Sequence, residues 1–238
     1  MNSYINPYAV TMVADSPEAA RAEFIRKTYA HLAGAIAGFV VIEGLLLSLG
    51  MGQVALEILG TSRYSWLLVM GAFMLVSWVA ESWATNGSSS GMQYAGLALY
   101  TAAEAFIFLP LISLAIVITG DGSLLLQAGL ITAAMVLGIS AVALTTKRDF
   151  SFLGGILKIG SFVVLGLIVA SFFLPISLGL WFSAAMIIFA SGAILYNTSN
   201  LLHRYQPGQH VAASLSLFAS VALLFWYVLR FLMSFIRN

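Results

Sequence analysis

The sequence predicts an all-α integral membrane protein with seven transmembrane helices, and three observations carry that prediction. Charged residues are 8% of the 238 and hydrophobic residues 61%, with a mean hydropathy of +1.00. An ordinary soluble domain carries roughly 25% charge, so a water-soluble fold of this size could not cover so much apolar side chain. Apolar runs of about 20 residues, the length that crosses a hydrocarbon core about 30 Å thick, recur along the chain. Strand-like alternation is absent from them, which argues against a barrel.

The elements follow in order. Segment 1–31 holds Asp15, Glu18, Arg21, Glu23, Arg26 and Lys27. It is polar, lacks the apolar stretch of a signal peptide, and reads as a short cytoplasmic N-terminal segment. Residues 32–238 are expected to form one transmembrane domain. Its first span covers about 32–49, and a polar break with Glu57, Arg63 and Tyr64 precedes the second at about 66–84. The stretch TNGSSSGM leads to the third, about 92–118, where Pro110 removes a backbone donor and predicts a kink. The turn TGDGS opens the fourth, about 124–144. Beyond the charged loop TTKRDFS, no charged residue appears from 159 to 202, which is too long for one span. Pro175 divides that run into a fifth and a sixth helix, and the seventh covers about 211–233. Arg21, Arg26, Lys27, Lys147, Arg148 and Arg204 then fall on one side, against Arg63 and Arg237 on the other. The positive-inside rule therefore predicts a cytoplasmic N-terminus.

Composition and motifs also exclude classes. A net charge of +1 leaves no cluster of cations to neutralise phosphates, so nucleic acid is not an expected partner. The chain has no cysteine, which removes disulfides, thiol nucleophiles and thiolate metal sites. Phosphate loops, dinucleotide fingerprints and HExxH are absent, so no cofactor and no metal are expected. Serine chemistry needs a base within reach, yet His31, His203 and His210 fall at predicted helix ends, and no aspartate lies within a span. The chain is not expected to be an enzyme.

Ionisable groups inside spans are costly and point to function by default. Glu43 and Glu104 are predicted to lie roughly 17 Å from their helices' cytoplasmic ends, near the midplane. They either line a polar cavity, each protonated or the two sharing one proton, or stand as neutral acids bonded to a neighbouring backbone. Arg230, the only cation in the seventh helix, is expected roughly 28 Å up, near the outer face, with a gap of about 10 Å against direct contact with both acids. Lys147, Arg148 and Asp149 form a compact charged loop that either docks a partner or sets topology.

Four segments are similar to those of the Bax inhibitor-1 family, also called the transmembrane Bax inhibitor motif family. They are RKTYAHLAG, YTAAEAFIFLPLI, QAGLITAAMVLGISAVALTTKRDFSFLGGIL and SGAILYNTSNLLH. Together they look most like the bacterial YccA-type branch. The resemblance implies six helices around a central seventh and a bacterial inner (plasma) membrane. It also implies association with suppression of stress-induced death, a pH-sensitive calcium leak, or a membrane-anchored AAA protease.

In the calcium-leak members two aspartates near the cytoplasmic ends of helices six and seven act as the pH gate. Two carboxylates in one low-dielectric site repel, so one keeps its proton to unusually high pH. The matching positions here are Asn197 and, within a residue, Ser220. Neither titrates. Asn197 is either a remnant gate imitating the protonated acid or a simple helix cap. Lys158, predicted about as deep as Asn197, either places a fixed cation in that vestibule or snorkels to the headgroups. Two readings of the whole follow: a cation leak conducting calcium or protons, and a non-conducting regulator that binds a membrane protease.

Overall fold

The structure, a computed structural model, describes residues 12–236 except 63, 87–88, 147 and 176–177, with only the backbone of Asn86. Arg63, Lys147 and Arg237 therefore lie outside the described residues. Eight α-helices follow a short 3-10 turn at Val13–Asp15: α1 (Glu18–Ser48), α2 (Met51–Thr61), α3 (Ser65–Asn86), α4 (Ser90–Thr119), α5 (Ser123–Thr146), α6 (Leu153–Phe173), α7 (Leu180–His203) and α8 (His210–Ile236). All except α2 are long and apolar enough to cross a bilayer, which makes seven spans among the described residues.

Helix ends differ from the hydropathy boundaries for a physical reason. Hydropathy marks where lipid begins, whereas helical hydrogen bonding continues into water where the residues favour it. Thus α1 begins at Glu18, well before Leu32, through a charged stretch braced by the Glu23–Lys27 ion pair at 2.7 Å. Helix α6 begins at Leu153, which sets Lys158 in its second turn. The expected polar break after the first span contains the helix α2. It starts behind Gly50, whose φ of 74° places it in the left-handed region. Helix α4 continues through Pro110 to Thr119.

Local chemistry fixes the connections. Ser89 caps α4, its hydroxyl accepting from the Met92 amide at 3.3 Å. Gly120, φ 76°, closes the same helix, and the Asp121 carboxylate then accepts from the Ser123 amide at 2.9 Å to start α5.

Inside the bundle, α8 is the central element. It packs against α1, α3, α4, α5 and α7, and 72% of its apolar 18-residue stretch is buried inside the protein. The outer helices turn large apolar side chains outward, with Trp181 85% and Leu68 77% exposed, as lipid contact requires. Lipid tails are as apolar as leucine, so close packing through small residues must hold the helices together. Gly96 shows this: a Cβ there would lie 2.5 Å from the Ala80 carbonyl oxygen, so α3 and α4 touch backbone to backbone. Helix α6 is the exception. None of its residues is buried, and it packs chiefly on α7, where Gly154 meets the Tyr196 ring and Gly160 meets Phe189.

Candidate functional site: a cavity between α3 and α6

Because α6 leans on α7 while α3 leans on α4, a cavity of about 960 Å³ opens between them, backed by α8. It extends from Glu81, Gly154 and Lys158, near the end of the bundle where α1 begins, to Trp66, Leu178 and Arg230 near the opposite end.

Helices α7 and α8 place Asn197 and Ser220 in its wall. The Asn197 amide nitrogen donates to the Ser220 hydroxyl at 2.7 Å and to the Ser216 carbonyl at 3.1 Å. Ser220 in turn donates to the same carbonyl at 3.1 Å. The group that faces Ser216 must therefore be a donor, a role open to an amide or a protonated acid and closed to a carboxylate. Ser216 was not visible as a partner from sequence, although its i, i+4 spacing to Ser220 puts both on one face of α8. Tyr205, in the α7–α8 connection, reaches the Ser216 hydroxyl at 3.0 Å. Burial pushes the Tyr205 phenol above its ordinary range.

Glu104 faces the cavity near the middle of α4, roughly 21 Å from that helix's start, and is 5% exposed. Tyr100, one turn earlier on the same helix, lines the same cavity. Tyr100 also sets its ring edge-on to Phe218 at 6.0 Å, which joins this part of α4 to the packing of α8. Lys158 lines the same cavity as Asn197, Ser220 and Glu104, and it is exposed. Among the described residues the one ion pair is Glu23–Lys27, so Lys158 stands in the cavity without a carboxylate salt bridge. Glu81 is exposed at the cavity's edge.

One expectation needs correction. Glu43 does not share the cavity with Glu104; it lines a separate groove on another face of α8. Arg230 belongs to the end of the bundle opposite the one where α1 begins. Its guanidinium lies at the cavity's far end and donates to the Leu178 carbonyl at 3.0 Å, beside the stacked rings of Trp66 and Trp226. For Glu43, depth along the helix could be counted from sequence, whereas the face its side chain presents could not.

The polar cluster after Asn197 has a structural use. The Ser199 hydroxyl accepts from the Phe150 amide at 3.0 Å and lies 3.3 Å from the Arg148 carbonyl, which pins the α5–α6 loop to α7. His203 lies 3.4 Å from that hydroxyl but closer, at 2.9 Å, to the Ser199 carbonyl, so the serine is an anchor committed to backbone partners. In the loop, the backbone amide and hydroxyl of Ser151 hold the Asp149 carboxyl below its usual range. Arg148 and Asp149 are exposed. Among the described residues no three His, Cys, Asp or Glu side chains come together as a metal site would need.

Comparison with known proteins agrees with this architecture. The chain is 37% identical over 122 residues to the uncharacterized protein PA2604 of Pseudomonas aeruginosa, covering 51% of this chain and 54% of that one. It is 42% identical over 102 residues to the Modulator of FtsH protease YccA of Escherichia coli K12, covering 42% and 46%. With Protein lifeguard 4 of Mus musculus it shares 34% over 119 residues, 50% of each chain. The matched region thus spans about half the length of these curated relatives. The model of the family described as "Inhibitor of apoptosis-promoting Bax1" matches residues 21–237, and with seven apolar helices and α8 as the central one in hand, the chain belongs to the Bax inhibitor-1 family, on the side of its bacterial YccA relatives.

Proposed function

We propose that this protein is a cation leak whose conduit is the cavity between α3 and α6, with calcium as its first candidate ion and protons as its modulator. A single observation carries the reading: one cavity holds both the Asn197–Ser220 contact near one end and the buried acid Glu104 at its middle. The Asn197–Ser220 pair is a lock without a titratable group, so pH sensitivity of the leak falls to Glu104. Lys158, at the same end as Asn197, opposes entry of a divalent cation and keeps the leak small. The membrane is a bacterial inner membrane with a cytoplasmic N-terminus, because Arg21, Arg26, Lys27, Arg148 and Arg204 all belong to the end of the bundle where α1 begins.

Calcium entry into indicator-loaded liposomes tests this. Wild-type protein should give protein-dependent flux that changes between pH 6 and 8, about the range in which a buried acid can be tuned. Glu104→Gln should flatten that dependence. Lys158→Met should raise the rate about two- to tenfold, the effect of removing one partly screened charge. An inert protein, or a Glu104→Gln variant with the full pH response, overturns the reading.

The second reading is a non-conducting regulator that binds a membrane-anchored AAA protease. The relative named a modulator of FtsH protease favours it, and a shared fold leaves function open. Co-purification with such a protease, together with altered turnover of its substrates and no liposome flux, selects this second reading.

A further inference from the structure

A second hollow, independent of the conduit, lies on another face of α8. It is a groove of about 780 Å³ bounded by α1 and α5 and floored by α4 and α8. Its lining is aliphatic and aromatic except for three side chains, Tyr29, Glu43 and Thr132. The buried oxygens of all three, both carboxyl oxygens of Glu43 included, have no hydrogen-bond partner. Glu43 and Thr132 are each 4% exposed. Buried polar groups in folded proteins are almost always satisfied, and leaving a carboxyl unpaired in an apolar setting is costly. Three orphans sharing one groove point to a missing partner. Gly44 and Gly129 line the same groove, and a Cβ on either would meet nothing within 4 Å, so the space beside Glu43 is open.

Bilayer acyl chains can fill such a groove, but they carry no donor. Both oxygens of Glu43 need one, roughly 8 Å from the end of α1. An alcohol offers one donor and an amino group offers two or three, enough for both carboxyl oxygens, with Thr132 available to accept another. We propose that the groove binds a lipophilic amine, its apolar chain lying between α1 and α5 and its amino head on Glu43. The amine is either a free long-chain amine or the amino head of a lipid.

The test is photo-crosslinking with a long-chain primary amine carrying a diazirine, in phosphatidylcholine liposomes, with labelled peptides mapped by mass spectrometry. Labelling should concentrate on α1 and α5. Excess dodecylamine should displace it, and the methyl ester of dodecanoic acid should not. Glu43→Leu should lower groove labelling about tenfold, the loss of one charge-assisted contact. Gly129→Leu, which fills the open space and leaves Glu43 intact, should also block it, and keeps the test decisive if Glu43→Leu does not fold. Competition from added phosphatidylethanolamine assigns the head to a lipid; its absence assigns a free amine. Labelling spread evenly over the lipid-facing helices, or unchanged in both folded variants, overturns the proposal and leaves bulk lipid as the occupant.

Discussion

At the scale of single residues, Asn197 concentrates the chemistry of the cavity into one amide. It bridges α7 to two groups on α8, and bonds of this kind between transmembrane helices average about 0.6 kcal/mol and reach about 1.7. Asn197→Ala should therefore cost about 1 kcal/mol, read as a lower unfolding midpoint in detergent at any pH. Asn197→Asp should behave differently. A carboxyl donates to the Ser216 carbonyl only while it holds its proton, so the contact is present at acid pH and lost as pH rises through the new group's titration. The variant's midpoint should fall with pH more steeply than the wild type's, and parallel curves would dispose of the donor argument. The polarity of GAILYNTSN was legible in sequence, and so was the absence of an ionisable group there. The division of labour was not, because it depends on which side of α7 each residue faces: Asn197 toward α8, Ser199 toward the α5–α6 loop. Glu43 and Glu104 carry the same lesson, since their similar depths concealed different faces.

At the scale of elements, the contrast between α4 and α6 separates tight from loose packing. A Cβ added at Gly96 on α4 would lie 2.5 Å from the Ala80 carbonyl oxygen and 2.7 Å from the Ala84 amide nitrogen, and neither backbone group can swing away. Gly96→Ala should cost about 1–3 kcal/mol as an overpacking change. Gly138→Ala on α5, where a Cβ would meet nothing within 4 Å, should leave the melting temperature unchanged or slightly raised. A pair of equal effects would contradict the assigned packing. The spans themselves were legible because apolar length is a property of sequence. Helix α2 was not anticipated: at 11 residues it is too short to cross a membrane, and its Gln53 and Glu57 resemble a loop when judged by polarity alone. Their i, i+4 spacing, which gathers the polar residues on one face, was the available signal.

At the scale of the whole molecule, the two hollows divide the bundle into a polar side and an apolar side of the same central helix. The chain has no cysteine, so an introduced one reports without background. Ser161→Cys, in the wall of the cavity, should react with a water-soluble, charged thiol reagent, whereas Leu137→Cys, in the groove, should react only with a membrane-permeant one. Equal reactivity would remove the distinction between a wet and a dry side. The arrangement of six helices around α8 came from resemblance, and α8's 72% burial agrees with it; composition alone gives every span a similar apolar content and cannot choose the centre. A last consequence concerns α6. Lipid, more than protein, surrounds it, so bilayer thickness has an unusual hold on its tilt. Thinner or thicker membranes should shift this helix further than its neighbours and alter the width of the opening beside it, giving the protein a mechanical response to lipid composition.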